Sequence, residues 1–439
     1  MVTPTQVPLK TKLLAFAALF LVLSACERPK SPLETTEQFN DEEIHEVKIS
    51  FSYATFWDTL IANKDYRDEY HESKYAIAGI EIDGAYYDSV GVRLKGESSY
   101  DFYEGRKKSL KIDLNDFIPE NHHKGSRKLN LINCFKDPSH IREKLYLDRL
   151  HQLGVPAPRA SYAKVYINNT YWGLYLLVEQ IDKYFVNDFF KHDVGNLYKG
   201  EPNGKLAYLG KNIKEYQRAY KLKHDGYGTP YEDLQALTKI ISDKYDSDEY
   251  FIKAIEQVLN VEDMLKAWAV NNLYMNIDAY NMLYPHNYYL FNDSVTGKFN
   301  WISFDGNYAF AAWAPNQSLY DCISMDIFWV SERFKKPLAT AILQTPKYRD
   351  LYADIMYELV KDYDHDKFSK RCNKLFQNIS PALKQDTLMM YKFNQCRNNI
   401  KQHLGDASDP GAFTPGIIPF YHARVENVKG QLKKLGYEF

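Results

Sequence analysis

The sequence lacks three features that would narrow its class at once: net charge, abundant cysteine and a long apolar run. Its 439 residues contain 55 Lys+Arg and 57 Asp+Glu, so the formal net charge is −2. A polyelectrolyte partner such as nucleic acid is therefore not indicated. Hydrophobic residues make up 45% of the chain, which is ordinary for a globular protein with a buried core.

Several enzyme signatures are also absent. Neither His45-Glu46 nor His71-Glu72 continues into HExxH, and no cysteine pair has metal-ligand spacing, which disfavours a zinc enzyme. Residues 200–205 (GEPNGK) are one residue short of a Walker A loop and lack its hydroxyl residue. The HRD and DFG motifs of ordinary protein kinases do not occur.

The N-terminus has the pattern of an export signal. Lys10 and Lys12 precede the apolar run Leu13–Leu23, which is too short to span a bilayer comfortably. The next residues complete Leu23–Cys26 (LSAC), which resembles the lipobox of bacterial lipoproteins, where the cysteine is lipidated and the preceding segment removed. We predict a lipoprotein signal peptide over residues 1–25 and a flexible tether over 26–44. The alternative is an ordinary signal peptide in which Cys26 is incidental.

Four cysteines remain if Cys26 is lipidated. An exported location permits disulfides, and a bridge between Cys372 and Cys396 would join two consecutive helices. Spacing alone does not decide how Cys134, Cys322, Cys372 and Cys396 pair.

The apolar pattern divides the rest of the chain into two parts. Between residues 45 and 178 it alternates as in β-strands, most clearly in Ala76–Ile82 and Tyr86–Leu94. A helix over residues 139–153, with Ser139 as its N-cap, interrupts these strands. Helical spacing dominates residues 179–439, where the predicted helices include 261–276, 337–343, 348–361, 367–376 and 382–404.

One β-hairpin in the helical part separates two aspartates. Its strands, Asn287–Phe291 and Asn300–Phe304, are rich in aromatic residues; Asp278 precedes them and Asp305 follows directly. A stiff hairpin holds two carboxylates at a fixed separation, as phosphoryl transfer requires: one orients an attacking hydroxyl and the other holds Mg²⁺. Alternatively, both aspartates cap turns or helices beside a buried hairpin.

The order of these elements predicts an α+β fold with the bilobal arrangement of an atypical protein kinase. A β-rich N-lobe, residues 45–178, contains a small-residue turn, Gly96–Ser99, and a lysine-bearing strand, Lys108–Leu114. A mainly helical C-lobe, residues 179–439, then holds both aspartates.

Six segments carry a resemblance to a known family. Val92–Ser99 (VRLKGESS) is similar to the VRLKGxSS signature of the spore-coat-protein-H (CotH) kinase family. Five further segments follow in that family's order, and the similarity covers roughly residues 46 to 310. These segments are Lys108–Lys111, Asp137–Arg142 with Leu153–Ala157, Trp172–Glu179, His286–Leu290 and Trp301–Asp305.

The resemblance implies an enzyme that uses ATP and a divalent metal, Mg²⁺ or Mn²⁺, to phosphorylate a protein hydroxyl. The family's motifs assign residues as follows: Asp278 is the catalytic aspartate, Asp305 the metal ligand, Asn287 a second metal or positioning ligand, and Lys111 or its neighbour Lys108 the phosphate-binding lysine. The family usually has Asp-x-Asp where this chain has Asp305-Gly306-Asn307. Because Asn307 is an uncharged and weaker metal ligand, a pseudokinase stays open.

Candidate residues of the N-lobe each have a structural alternative. Lys111 either neutralises phosphate charge or is a solvated surface lysine. The Gly96–Ser99 turn either covers phosphates with its backbone N–H groups or is a plain β-turn. Arg142 and Glu143 lie on the helix where a kinase keeps the acid that pairs with its lysine, but we expect them to form surface salt bridges.

Candidate residues of the C-lobe also have structural alternatives. Glu179 either meets the nucleotide, where a kinase chain crosses between lobes, or caps a helix that begins there. Lys199 is a second possible phosphate contact, with a surface lysine favoured. His286 either holds Asn287 or is a packed histidine.

We therefore predict a lipid-anchored, exported kinase-like phosphotransferase in a bacterial cell envelope, on the periplasmic or outer surface. Its partners are a protein substrate and the membrane, with no nucleic acid. Two alternatives remain: transfer of another group, such as an adenylyl or glutamyl unit, on the same fold, and a non-catalytic pseudokinase or glycan-binding surface lipoprotein. The 36 tyrosines fit the second alternative, although we favour amphipathic packing at lobe surfaces as their use.

Overall fold

A computed structural model describes Phe39 and residues 43–245, 247–406 and 413–439. The predicted signal peptide, Cys26 and nearly all of the predicted tether lie outside the described residues.

The first part of the chain forms a closed seven-stranded barrel in the order β1-β2-β3-β4-β5-β7-β6. Neighbouring strands are antiparallel except β1 and β6, whose parallel pairing closes the barrel. The strands are β1 Ile44–Ser50, β2 Ala76–Ile82, β3 Ala85–Lys95, β4 Ser109–Asp113, β5 Lys128–Ile132, β6 Ala160–Ile167 and β7 Thr170–Glu179.

Alternating side chains fill the barrel. Val47, Ile80, Val92, Ile112 and Val165 are fully buried and belong to one cluster of packed apolar residues. Burial of such side chains contributes about 1.5–3 kcal/mol each. Three helices lie within this part of the sequence: α1 Phe56–Tyr70, the short α2 Ser98–Asp101 and α3 Arg142–Gln152.

A second, four-stranded antiparallel sheet lies in the remainder, in the order β11-β10-β8-β9. Its strands are β8 Gly195–Gly200, β9 Tyr220–His224, β10 Tyr288–Asp293 and β11 Lys298–Ser303. Tyr288 on β10 stacks on Trp301 of β11 with ring centroids 4.3 Å apart, and Trp268 meets Trp301 edge-on at 5.6 Å. These aromatic contacts join the hairpin to the main helical core.

Eleven further helices are found among the described residues. They are α4 Lys183–Phe190, α5 Ile213–Ala219, α6 Glu232–Ser242, α7 Asp248–Val258, α8 Val261–Leu273, α9 Leu319–Ser324, α10 Pro337–Gln344, α11 Pro346–Val360, α12 His365–Gln385, α13 Phe393–Asn398 and α14 Ile417–Lys434. The mixed α+β class is confirmed, with a β-rich first part and a mainly helical remainder. The kinase-like bilobal arrangement stays a prediction.

Two predicted helix starts are wrong. Helix α3 begins at Arg142, and the carboxylate of Asp137, not Ser139, accepts the hydrogen bond of the Arg142 N–H, at 2.9 Å. Glu179 is the last residue of β7 and caps nothing; α4 begins at Lys183, where the Asp182 side chain accepts the first free N–H groups.

The predicted helices 367–376 and 382–404 also need correction. Helix α12, His365–Gln385, includes all of 367–376 and continues through Pro381 into the first four residues of 382–404. The chain then leaves helical conformation and forms only the six-residue α13. Periodicity over 382–404 was misleading because apolar residues of α12, the connection and α13 all face one core.

Cys134, Cys322, Cys372 and Cys396 are all free and buried, so a Cys372–Cys396 bridge is not formed. Within the described residues, no helix has the length and apolar character needed to cross a membrane.

Candidate functional site

Asp278 is held by two neighbours from the approach to the hairpin. His286 Nε2 lies 2.8 Å from one carboxylate oxygen, and Asn287 Nδ2 donates to the other at 3.0 Å and to the Asp278 carbonyl at 2.8 Å. Asn287 has φ 61°, a left-handed conformation that asparagine tolerates better than most residues. Both carboxylate oxygens thus accept a hydrogen bond while each keeps a lone pair free.

Asp305 lies two residues after the end of β11, close enough to Asp278 for their charges to interact. It also has a left-handed backbone, φ 64°, and its carbonyl accepts a hydrogen bond from Asn276 Nδ2 at 3.2 Å. Burial raises the pKa of Asp305, and the negative charge of Asp278 raises it further, whereas Lys95 and His286 oppose the shift. The two aspartates are therefore close enough for each to sense the other's charge.

Lys95 is a lysine whose charge acts on Asp305. It ends β3, and burial lowers the pKa of its ammonium while Asp305 and Glu143 oppose that shift. Lys95 was not among the site residues predicted from the sequence. Its position directly before Gly96 in the VRLKGESS segment was the available signal.

Helix α3 supplies the second acid that interacts with Lys95. Glu143 is buried, and this burial, together with the nearby Asp305, raises its pKa to about 8. Its carboxylate accepts the backbone N–H of Gly306. Surface salt bridging was therefore the wrong expectation for Glu143, which connects α3 to the segment after Asp305.

Arg142 is also buried, contrary to the expected surface role. Its guanidinium donates to the carbonyls of Ala309 and Phe310, each at 3.2 Å, and to the Asn399 side chain at 2.7 Å. Arg142 thereby ties the start of α3 to the chain that follows Asp305.

Two further lysines, Lys111 and Lys199, interact electrostatically with Lys95. Lys111 donates to Gln180 Oε1 at 2.5 Å, and burial together with Arg93, Lys223 and other cations depresses its pKa. Lys199 pairs with Glu201 at 3.3 Å and still interacts with Asp305 and Lys95. A group of like charges gathered around Lys111 favours an anionic ligand.

Two residues predicted to contact the nucleotide, Lys108 and Glu179, are bonded to other parts of the chain. The ammonium of Lys108 donates to the Tyr100 carbonyl at 2.6 Å and to the Tyr103 carbonyl, so it holds the chain after the Gly96 turn. Glu179 is committed to Arg159, whose Nε donates to it at 3.0 Å. Neither side chain is among the groups that interact with Asp278 or Asp305.

The Gly96 turn meets the segment after Asp305. Gly96 has φ 103°, and a Cβ there would lie 2.2 Å from Ser99 Oγ, so glycine is required. Ser98 Oγ lies 3.1 Å from Tyr308 Oη. Asn307, half-buried, precedes this contact.

The donor set fits a cation that shares its ligands with phosphate. No group of three or more His, Cys, Asp or Glu side chains in the described part of the chain is placed to hold a metal. Asp278 is hydrogen-bonded to the amide of Asn287, and Asn307 follows Asp305 by two residues in the chain. Mg²⁺ is commonly bound by one or two carboxylates together with substrate phosphates and water, so these residues fit it.

Comparison with known proteins identifies similar chains. A family model described as CotH kinase protein matches residues 92–407. Inner spore coat protein H of Bacillus subtilis is 26% identical over 217 residues, 49% of this chain and 57% of that protein. Invasin CotH3 of Rhizopus delemar is 22% identical over 332 residues, 69% of this chain and 55% of that protein. The chain thus spans little more than half the length of these relatives.

Proposed function

Because the chain belongs to the CotH kinase protein family, we propose that it is a phosphotransferase that moves the γ-phosphoryl group of ATP to a protein hydroxyl. The observation that carries the proposal is the convergence of Lys95 from the barrel, Glu143 from α3, and Asp278 and Asp305 from either side of the hairpin. Phosphoryl transfer depends mainly on positioning and charge neutralisation, which this set of groups supplies.

In the proposed reaction, Asp278 orients the acceptor hydroxyl and takes its proton. The hydroxyl oxygen attacks the γ-phosphorus, the bond to the β–γ bridging oxygen breaks, and ADP leaves. His286 and Asn287 fix the plane of the Asp278 carboxylate through their hydrogen bonds. A fixed carboxylate costs no reorganisation as the reaction proceeds.

Asp305, with the amide oxygens of Asn287 and Asn307, binds Mg²⁺ in this proposal. When bound, the ion neutralises charge on the phosphates. Lys95, held between Asp305 and Glu143, contacts phosphate oxygens, and Lys111 and Lys199 add positive charge nearby. Burial has already removed much of the water from Lys95, which strengthens its interaction with an anion.

The test is Asp305→Ala compared with Asp362→Ala, a control that removes an exposed carboxylate from the turn after α11. We expect Asp305→Ala to abolish Mg²⁺-dependent ATP binding in calorimetry and to reduce transfer by at least about 10²-fold. Asp362→Ala should match the wild type. Full binding and turnover by Asp305→Ala would refute the proposal.

The same assay separates the alternatives. Mass spectrometry of a modified protein substrate distinguishes a phosphoryl group from an adenylyl or glutamyl group. Mg²⁺-ATP binding without any transfer would indicate a pseudokinase. Asn307 favours that alternative, because it stands where the family usually has a second aspartate. A thermal shift with oligosaccharides and none with Mg²⁺-ATP would favour a glycan-binding protein.

We also propose that the protein is anchored in the cell envelope through a lipidated Cys26, as the LSAC sequence suggests. Cells fed radiolabelled palmitate should label the wild-type protein, whereas Cys26→Ser should remain unlabelled and leave the membrane fraction. Equal labelling of both would contradict lipidation at this residue.

A further inference from the structure

A pocket separate from the cleft lies between α12, α13 and the segment that follows α13. Its volume is about 390 Å³, and it is lined by none of the residues that interact with Asp278 or Asp305. This volume falls within the roughly 300–1,000 Å³ of small-molecule sites. The pocket therefore has room for a ligand of its own.

The pocket wall is cationic. Lys384, Arg397 and Lys401 line it, and all three side chains are exposed. Among the described residues that form the wall, none is acidic. These side chains therefore supply positive charge without local compensation, which favours a negatively charged ligand.

The sequence around the pocket also has an excess of positively charged residues. Residues 367–402 contain eight lysine and arginine residues and a single acidic residue, Asp386, in a chain that is otherwise almost neutral. Asp386 is fully buried and paired with Lys107 of the barrel region. It is thus unable to neutralise the pocket, because its charge is already matched in the interior.

The pocket also has an aromatic and amide component. Phe376 and Phe393 line it with ring centroids 6.1 Å apart and an interplanar angle of 31°. Gln377, Asn398 and Gln402 add amide groups, which donate and accept hydrogen bonds. A ligand that matches this wall has an apolar face, several hydroxyls and a negative charge.

We propose that this pocket binds an acidic saccharide, a sugar ring that bears a carboxylate or sulfate. Its C–H face packs on Phe393, its hydroxyls bond to the amides, and its anionic group pairs with Arg397 and Lys401. An acidic peptide side chain offers the charge but no ring face or hydroxyls. The site is independent of the phosphotransferase cleft.

The probe is trigalacturonic acid, compared with its fully methyl-esterified form, which keeps the sugar rings and removes the charge. Calorimetry on the full chain should detect binding of the acid only. The double variant R397A/K401A should weaken binding at least about tenfold, and higher salt should weaken it as well. The control K253A/K335A removes the same charge from exposed lysines outside the pocket and should change the affinity by less than about twofold.

Phe393→Leu tests the aromatic component while keeping an apolar side chain in place. It should weaken trigalacturonate binding but leave the thermal melting of the unliganded protein close to that of the wild type.

Four results would overturn the proposal: no binding of trigalacturonate, equal binding of the methyl ester, equal loss in K253A/K335A, or full affinity in both pocket variants. Binding of poly-glutamate instead, lost in R397A/K401A, would assign the pocket to acidic peptides. None of these results bears on ATP binding, so the two proposals fail separately.

Discussion

At the scale of the residue, Gly306 sets how closely the segment after Asp305 approaches α3. A Cβ on Gly306 would lie 2.1 Å from Tyr146 Cδ1. Because the Tyr146 ring is buried, it cannot rotate away to relieve this clash. The Gly306 N–H also donates to Glu143. The glycine therefore permits the contact that brings Asp305, Glu143 and Lys95 together.

We expect Gly306→Ala to push this segment away from α3, to lower the free energy of unfolding by roughly 1–3 kcal/mol and to weaken Mg²⁺-dependent ATP binding. Urea unfolding and calorimetry measure the two effects. The matched control is Gly430→Ala in α14, where a Cβ meets no atom within 4 Å. That change should leave binding intact and raise stability by about 0.5–1 kcal/mol, because alanine favours the helix. If both variants behave alike, Gly306 has no special packing role.

Asp278 and Asp305 were predicted as site residues from the sequence, whereas Lys95, whose charge acts on Asp305, was not. Asp278 and Asp305 flank a hairpin whose aromatic strands and polar turn could be recognised in the sequence. Their proximity could therefore be predicted from the geometry of the hairpin. Lys111 was predicted from the family resemblance, on a strand whose other face is apolar, and in the structure its ammonium donates to Gln180 Oε1. The interaction of Lys95 on β3 with Glu143 on α3 is a tertiary one, which strand periodicity does not encode.

At the scale of the element, strands were predicted well from their local residue pattern, whereas the pairing of strands distant in sequence was not predicted. The predicted strand Ala76–Ile82 has the same bounds in the structure, and β3 differs from its prediction by one residue at each end. The parallel pairing of β1 with β6 joins residues more than 100 positions apart and closes the barrel. No turn signal marks such a pairing, so the sequence indicated a β-rich part but not a barrel.

Short strands at the edge of the second sheet were missed for a different reason. Strand β9, Tyr220–His224, alternates over only five residues and carries two lysines, a composition typical of an edge strand protected from aggregation. Its pairing with β8 is irregular between Leu197 and Tyr198. A period-2 pattern this short does not stand out from the helical residues directly before it.

At the scale of the whole molecule, one buried ion pair fastens the barrel to the end of α12. Lys107 and Asp386 are both fully buried and in contact. Asp386 also accepts the N–H of Leu174 on β7 at 3.0 Å, and a Cβ on Gly173 would clash with it at 2.3 Å. The carboxylate therefore sits against the barrel wall, where glycine leaves room for it.

We expect Lys107→Met and Asp386→Asn each to destabilise the protein by about 3–5 kcal/mol, because each leaves an uncompensated charge in the interior. The double variant leaves neither charge, and its amide oxygen still accepts the Leu174 N–H. Its loss of stability should thus be well below the sum of the single losses, which gives a coupling energy of roughly 1–3 kcal/mol in urea unfolding. The control cycle is the exposed pair Lys361 and Glu358, 2.7 Å apart, whose coupling should not exceed about 0.5 kcal/mol. Additive losses for Lys107 and Asp386 would mean that the pair does not hold the barrel against α12, and that their burial reflects packing alone.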